Sequence, residues 1–119
     1  MRFGDYIKFI RGERELSLRD LAKKSGIDVA NLSRIERNVN APPRKENILE
    51  SLIAALGLNE QEKQKLLDLC ASENGVYPFD AKEDLKEYPN IPVLLRTINN
   101  KKLSEEEIRE LTERINREY

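Results

Sequence analysis

Gly26 constrains this 119-residue chain more than any other residue. It stands in LAKKSGIDVANLSRIERN, residues 21–38, between two short runs of helical spacing. Before it, Leu18, Leu21 and Ala22 fall at i, i+3 and i+4, one stripe of a helix. After it, Leu32 and Ile35 repeat the spacing. Glycine takes the left-handed backbone at least cost and is the favoured residue just past a helix C-terminus. Ser17 with Asp20 three residues on is the pattern of an N-cap, and Asp28 is placed to cap the following helix. The stretch therefore predicts two short helices joined by a tight turn. Neither is long enough to persist without burying its stripe.

The same logic runs along the rest of the chain. Phe3, Tyr6, Ile7 and Ile10 make a first helical stripe, and Gly12 with the RERE charges is expected to fray its end. Pro42-Pro43 forbids a continuous helix through NVNAPPRKE, residues 38–46. Leu49, Leu52, Ile53 and Leu56 form a fourth helix stopped by Gly57. Asn59 and Glu62 resemble a capping box opening a fifth, with Leu66, Leu69 and Cys70 inward. SENGVYPFD, residues 72–80, is the clearest break. Beyond it, Asp80 and Glu83 bracket a short helix containing Leu85. Ile91, Leu94, Leu95 and Ile98 make another stripe. Ser104 and Glu107 open a last helix carrying Ile108, Leu111 and Ile115, with Leu103 placed to staple onto Ile108. Strand-like alternation is absent. The expected class is all-α: a five-helix domain over residues 1–74, then a helical segment over 75–119 for dimerisation or partner binding.

Composition narrows the chemistry. The chain has one cysteine and no histidine, which excludes an internal disulfide and imidazole catalysis and leaves a zinc site without its usual ligands. Cys70 sits among leucines and reads as a buried small hydrophobe. Glu105-Glu106-Glu107 reads as a helix's first turn, where acids suit the dipole, rather than a metal site. No phosphate-binding glycine loop and no nucleophile–base pair is present, so no enzymatic activity, metal or cofactor is expected. No apolar run approaches the length of a membrane span, and the charged N-terminus lacks a signal-peptide core, so a cytoplasmic location is expected. Formal net charge is −1, yet it is unevenly spread. Residues 1–58 carry 11 basic and 8 acidic side chains, residues 59–119 carry 10 and 14. A basic half can meet phosphate while the acidic half faces elsewhere.

With Leu32 and Ile35 turned inward, Ala30, Ser33, Arg34 and Arg37 share the outer face of the third helix, residues 28–37. The face is small at its start and basic further along. That profile allows close approach to base edges in a DNA major groove, where an arginine fork matches guanine O6 and N7. The helix opening at Ser17 presents free amides suited to a phosphate oxygen.

LSLRDLAKKSGIDVANLSRIERN closely resembles the phage-repressor (Cro/cI-type, XRE) helix-turn-helix, on the strength of Leu21-Ala22, Gly26-Ile27 and LSRIERN at 32–38. The resemblance extends from about Tyr6 to Leu58. It implies that Val29, Ala30, Ser33 and Arg34 read bases, and that Ser17, Arg37, Asn38 and Arg44 touch the backbone. It further implies that Arg11 and Glu36 form a structural ion pair. Two positions depart from the family pattern: Leu18 replaces a common phosphate-touching glutamine, and Asn38 replaces the usual glycine after the third helix.

Two functions follow. One is a sequence-specific repressor of double-stranded DNA operators, acting as a homodimer and regulating its own operon. The other is an antitoxin with the same DNA-binding domain, whose C-terminal region neutralises a partner toxin. YPNIPVLLR followed by LSEEEI weakly resembles the tails of small regulators of toxin–antitoxin pairs. Either residues 59–74 or residues 80–119 can supply the dimer contact.

Overall fold

The computed structural model describes residues 1–75 and 77–119; Val76, inside the break at 72–80, lies outside the described residues. The described chain contains eight α-helices and no strand. In order they are α1 (Phe3–Glu13), α2 (Leu18–Ser25), α3 (Val29–Glu36), α4 (Glu46–Leu56), α5 (Glu60–Asn74), α6 (Phe79–Leu85), α7 (Ile91–Lys101) and α8 (Glu105–Glu118). Two compact units divide the chain, Met1–Lys82 and Glu83–Tyr119.

The first unit gathers the inward stripes of α1 to α5 into one core. Phe3 and Ile7 of α1, Leu21 of α2, Leu32 of α3, Leu52 and Leu56 of α4, and Leu66 and Leu67 of α5 are all essentially inaccessible to solvent. Each such side chain contributes on the order of 1.5–3 kcal/mol relative to exposure. This burial is what allows eight-residue helices such as α2 and α3 to exist. On α5 the inward face is Leu66, Leu67, Cys70 and Ala71, so Leu69, expected inside, sits at its half-buried edge. Cys70 is buried and its thiol donates to the Pro43 carbonyl at 3.3 Å. Burial pushes its pKa up.

Long-range polar contacts tie the helices of the bundle together. Arg14 was expected in a frayed terminus, but α1 runs through Gly12 to Glu13 and Arg14 is put to use. Its guanidinium donates to the Leu56 carbonyl at 3.1 Å and to Glu62 at 2.6 Å, tying α1 to the end of α4 and the start of α5. Glu73, near the end of α5, accepts the Phe3 N–H at 2.5 Å, placing a carboxylate on the positive end of α1. Lys65 lies 5.1 Å from the centre of the Tyr6 ring.

Gly4 contributes to the same packing by having no side chain. A Cβ there would lie 2.1 Å from the Ile35 carbonyl oxygen and 2.6 Å from the Asn38 side-chain oxygen. Only glycine lets the start of α1 approach the end of α3 so closely.

In the second unit α7 and α8 are amphipathic but bury no residue. Ser104 and Glu107 form the reciprocal capping box at the start of α8. α6 starts at Phe79, ahead of the expected cap Asp80, and Phe79 packs half-buried against the core of the first unit.

Candidate nucleic-acid interface

Ser17 opens α2 by accepting the Asp20 N–H at 3.0 Å, while Asp20 accepts the Ser17 N–H at 3.1 Å. That backbone bond, first among its causes, holds the exposed Asp20 carboxyl below its ordinary pKa. α2 closes on Gly26, whose φ of 77° is the left-handed conformation its position requires. The buried Ser25 hydroxyl then accepts the Ile27 N–H at 3.3 Å, and the Asp28 carboxylate accepts the Asn31 N–H at 3.2 Å. The turn is therefore satisfied within itself and fixes the angle at which α3 departs.

Residues 2–66 match a family described as a helix-turn-helix domain. The chain belongs to that family. The match supports a DNA-binding regulator and covers α1 to α4 with the opening of α5. No curated protein and no solved structure matches the chain.

In this helix-turn-helix, α3 divides cleanly. Leu32, Ile35 and Glu36 are buried. Val29, Ala30, Asn31, Arg34 and Arg37 are exposed and Ser33 is half-buried. Arg34 and Arg37 take part in none of the ion pairs among the described residues. Two free guanidiniums thus project from a face whose opposite side is locked. Asn31 was not singled out from sequence. It lies on the outer side of α3, and its oxygen accepts from the Asn40 amide at 2.9 Å. An asparagine on such a face has the donor–acceptor pair that adenine matches.

Glu36 is the buried anchor of the helix. Arg11 of α1 grips it with both prongs, Nε to Oε2 at 2.7 Å and Nη2 to Oε1 at 2.9 Å, and donates Nη1 to the Leu16 carbonyl at 2.9 Å. The hydrogen bonds to Glu36 raise the Arg11 pKa above its already high ordinary value. Fork-to-fork geometry of this kind fixes orientation as well as distance. It sets how far α3 can rotate about its own axis.

The phosphate candidates fall into two groups. Arg37 caps the C-terminus of α3 with its side chain in solvent, and Arg44 is exposed. The loop bearing Arg44 is held by the Cys70 thiol at Pro43 and by the Asn74 amide on the Pro42 carbonyl at 3.3 Å. Arg44 also lines a concavity of about 520 Å³ that includes Asp28, Asn31 and Ile35, so the loop and the start of α3 adjoin. Ser17 and Asn38 carry structural work. The Ser17 oxygen is committed to the capping box, and the Asn38 amide donates to Asp5 at 3.0 Å. Asn38 has a φ of 60°, the left-handed conformation that asparagine tolerates better than most residues. Leu18 is half-buried against the core, so it offers no polar group at the start of α2.

Among the described residues no helix is long and apolar enough to cross a membrane.

Proposed function

We infer that this protein is a sequence-specific regulator of the phage-repressor type that reads double-stranded DNA with α3 and represses transcription, its own operon included. One observation carries the reading. The outer face of α3 holds two unpaired guanidiniums on a helix whose inner face is fixed by a buried ion pair and a capped turn. A surface built only for solubility needs no such rigidity, whereas base reading requires it. In this reading Val29, Ala30, Ser33 and Arg34 meet base edges, the first two through apolar contact and Arg34 through its fork. Arg37 and Arg44 hold phosphates, assisted by the Ser17 hydroxyl and by the backbone around Asn38. Residues 1–74 form the DNA-binding domain. Residues 75–119 bring two copies together, because a lone helix of this size reads too few bases to select a site.

The test is a binding titration on the DNA upstream of the protein's gene, against a scrambled duplex and across a salt series. Arg34→Ala is expected to lose about 1–3 kcal/mol on the specific site and little on the scrambled one. Arg37→Ala is expected to weaken both alike and to reduce the salt slope by about 1. Equal binding to both duplexes, indifferent to Arg34, would refute the assignment.

A further inference from the structure

We propose that the cavity between the loop bearing Arg44, the C-terminal half of α5 and the start of α6 binds a small amphipathic anion, and that the bound anion draws Arg44 away from DNA. The occupant is an apolar body carrying one carboxylate or sulfonate. The site stands without DNA, whereas its regulatory effect rests on the reading of Arg44 as a phosphate contact given above.

The cavity measures about 530 Å³ and lies wholly within the first unit. Small-molecule sites run from about 300 to 1,000 Å³ and are mostly apolar with a few polar groups. Here Leu49 of α4 and Leu67, Cys70 and Ala71 of α5 supply a buried wall. Tyr77, Pro78 and Phe79 add ring surface. Asn74 lines the cavity too, with its amide nitrogen spent on the Pro42 carbonyl and the Cys70 sulfur. Its Oδ1 is buried without a partner. Such an orphan is rare in a finished interior and marks this wall as one that something else completes. The charged side chains that line the cavity are Arg44, Lys82 and Glu46. All three are exposed, and none joins an ion pair among the described residues. Glu73, a further carboxylate near the Cys70 thiol, is already taken by the Phe3 N–H and by Arg2. Two cations against one acid make the mouth net positive, so an organic anion with an apolar body is the complementary occupant. Arg44 also lines the concavity beside Asp28 and Asn31 at the start of α3. A guanidinium turned to an anion in the cavity is one cation lost from that side.

The probe is anilinonaphthalene sulfonate, an aromatic body with one sulfonate, titrated by fluorescence into the full chain without DNA. Phenylnaphthylamine, the same body without the charge, is the control. The sulfonate probe is expected to bind saturably and to slow N-ethylmaleimide labelling of Cys70, the only cysteine of the chain. Arg44→Gln with Lys82→Gln is expected to weaken it about tenfold, the worth of two exposed charge contacts, and to leave the neutral body unaffected. Glu46→Gln is expected to tighten it about threefold. These positions are exposed, and circular dichroism establishes that the variants keep their helices. Saturating probe is then expected to weaken binding to a duplex of arbitrary sequence about eightfold at about 0.1 M salt and to reduce the salt slope by about 1, as one lost phosphate contact does. In Arg44→Gln that effect of the probe should vanish. Probe binding that ignores all three charges, or that leaves Cys70 equally reactive, overturns the site and puts the probe on the exposed apolar stripes of α7 and α8. Tighter binding without the cations and weaker binding without Glu46 overturns the anion and makes the occupant a cation. A probe that binds here yet leaves duplex binding unchanged overturns the regulatory half. A chain that binds no duplex refutes the DNA-binding reading and the regulatory half with it, while the probe and the thiol still decide the site.

Discussion

Two glycines eight positions apart on one helix should respond to alanine with opposite signs. Gly4 and Gly12 both lie in α1 with helical backbone. Alanine in a helix interior gains about 0.5–1 kcal/mol over glycine when nothing else changes. At Gly12 nothing changes, because no atom lies within 4 Å of the added Cβ. Gly12→Ala is therefore expected to stabilise by about that amount. At Gly4 the Cβ would sit 2.1 Å from a backbone oxygen of α3, where ordinary contact begins near 3.4 Å. That oxygen belongs to the main chain and cannot swing aside, so α1 and α3 must part by more than an ångström, loosening the packing of Phe3 and Ile7. Overpacking of this severity costs about 3 kcal/mol or somewhat more, leaving about 2–3 kcal/mol of net loss. For a unit of this size each kcal/mol shifts Tm by about 4–8 °C. Thermal unfolding followed by circular dichroism should thus show Gly4→Ala lower by about 10–20 °C and Gly12→Ala higher by about 2–8 °C. A Gly4→Ala variant at least as stable as the wild type would refute the close approach of α1 to α3. The placement of the outer face of α3 would fall with it.

The buried pair and the pH response give further expectations. Arg11→Ala leaves the buried Glu36 carboxylate without its fork and should cost about 3–5 kcal/mol in urea unfolding. Arg11→Met with Glu36→Leu should recover most of that, since replacing both partners strands no charge. Asp5, Asp20, Glu62 and Glu107 all have pKa values lowered in the folded state, each chiefly by a backbone N–H at a helix start. Their stabilisation is complete above the unfolded values near pH 4 and is lost as pH falls through the lower folded ones. Asp68, raised by burial, works in the opposite direction. With no histidine in the chain, Tm should stay flat from about pH 5 to 7 and drop below about pH 4; a transition near pH 6 in a melting series would contradict this.

How much of this was readable in advance depends on the reach of each interaction. The α2–turn–α3 unit was legible because its determinants are neighbours: Ser17 with Asp20, Gly26, and Asp28 with Asn31 all act within three residues. The outer face of α3 followed from the positions of Leu32 and Ile35 alone. Arg14 and Glu73 were not legible, because their partners lie 42 to 48 and 70 residues away and nothing in their local sequence marks them. Gly4 carries no local signal of its role, because the atom that requires glycine there is the Ile35 carbonyl oxygen of α3. The pairing of Arg11 with Glu36 entered through a family resemblance, since spacing of 25 residues gives no periodic signal.

That division has a consequence for function. α3 is eight residues long, too short to hold its shape or direction by itself. Its beginning is fixed by the Ser25–Gly26–Asp28 turn, which is local. Its end is fixed by Arg11 on Glu36, by the Gly4 approach and by Asn38 on Asp5, all of which come from α1. Arg34 stands between these two restraints. In the proposed reading, α1 is the back wall against which the recognition helix is registered. Substitutions at Gly4 or Arg11 should then weaken specific binding even where the chain remains folded and every side chain that touches DNA is intact. An α3 released at its C-terminal end would keep the charges that hold phosphate, so binding to scrambled DNA should survive longer than binding to the specific site.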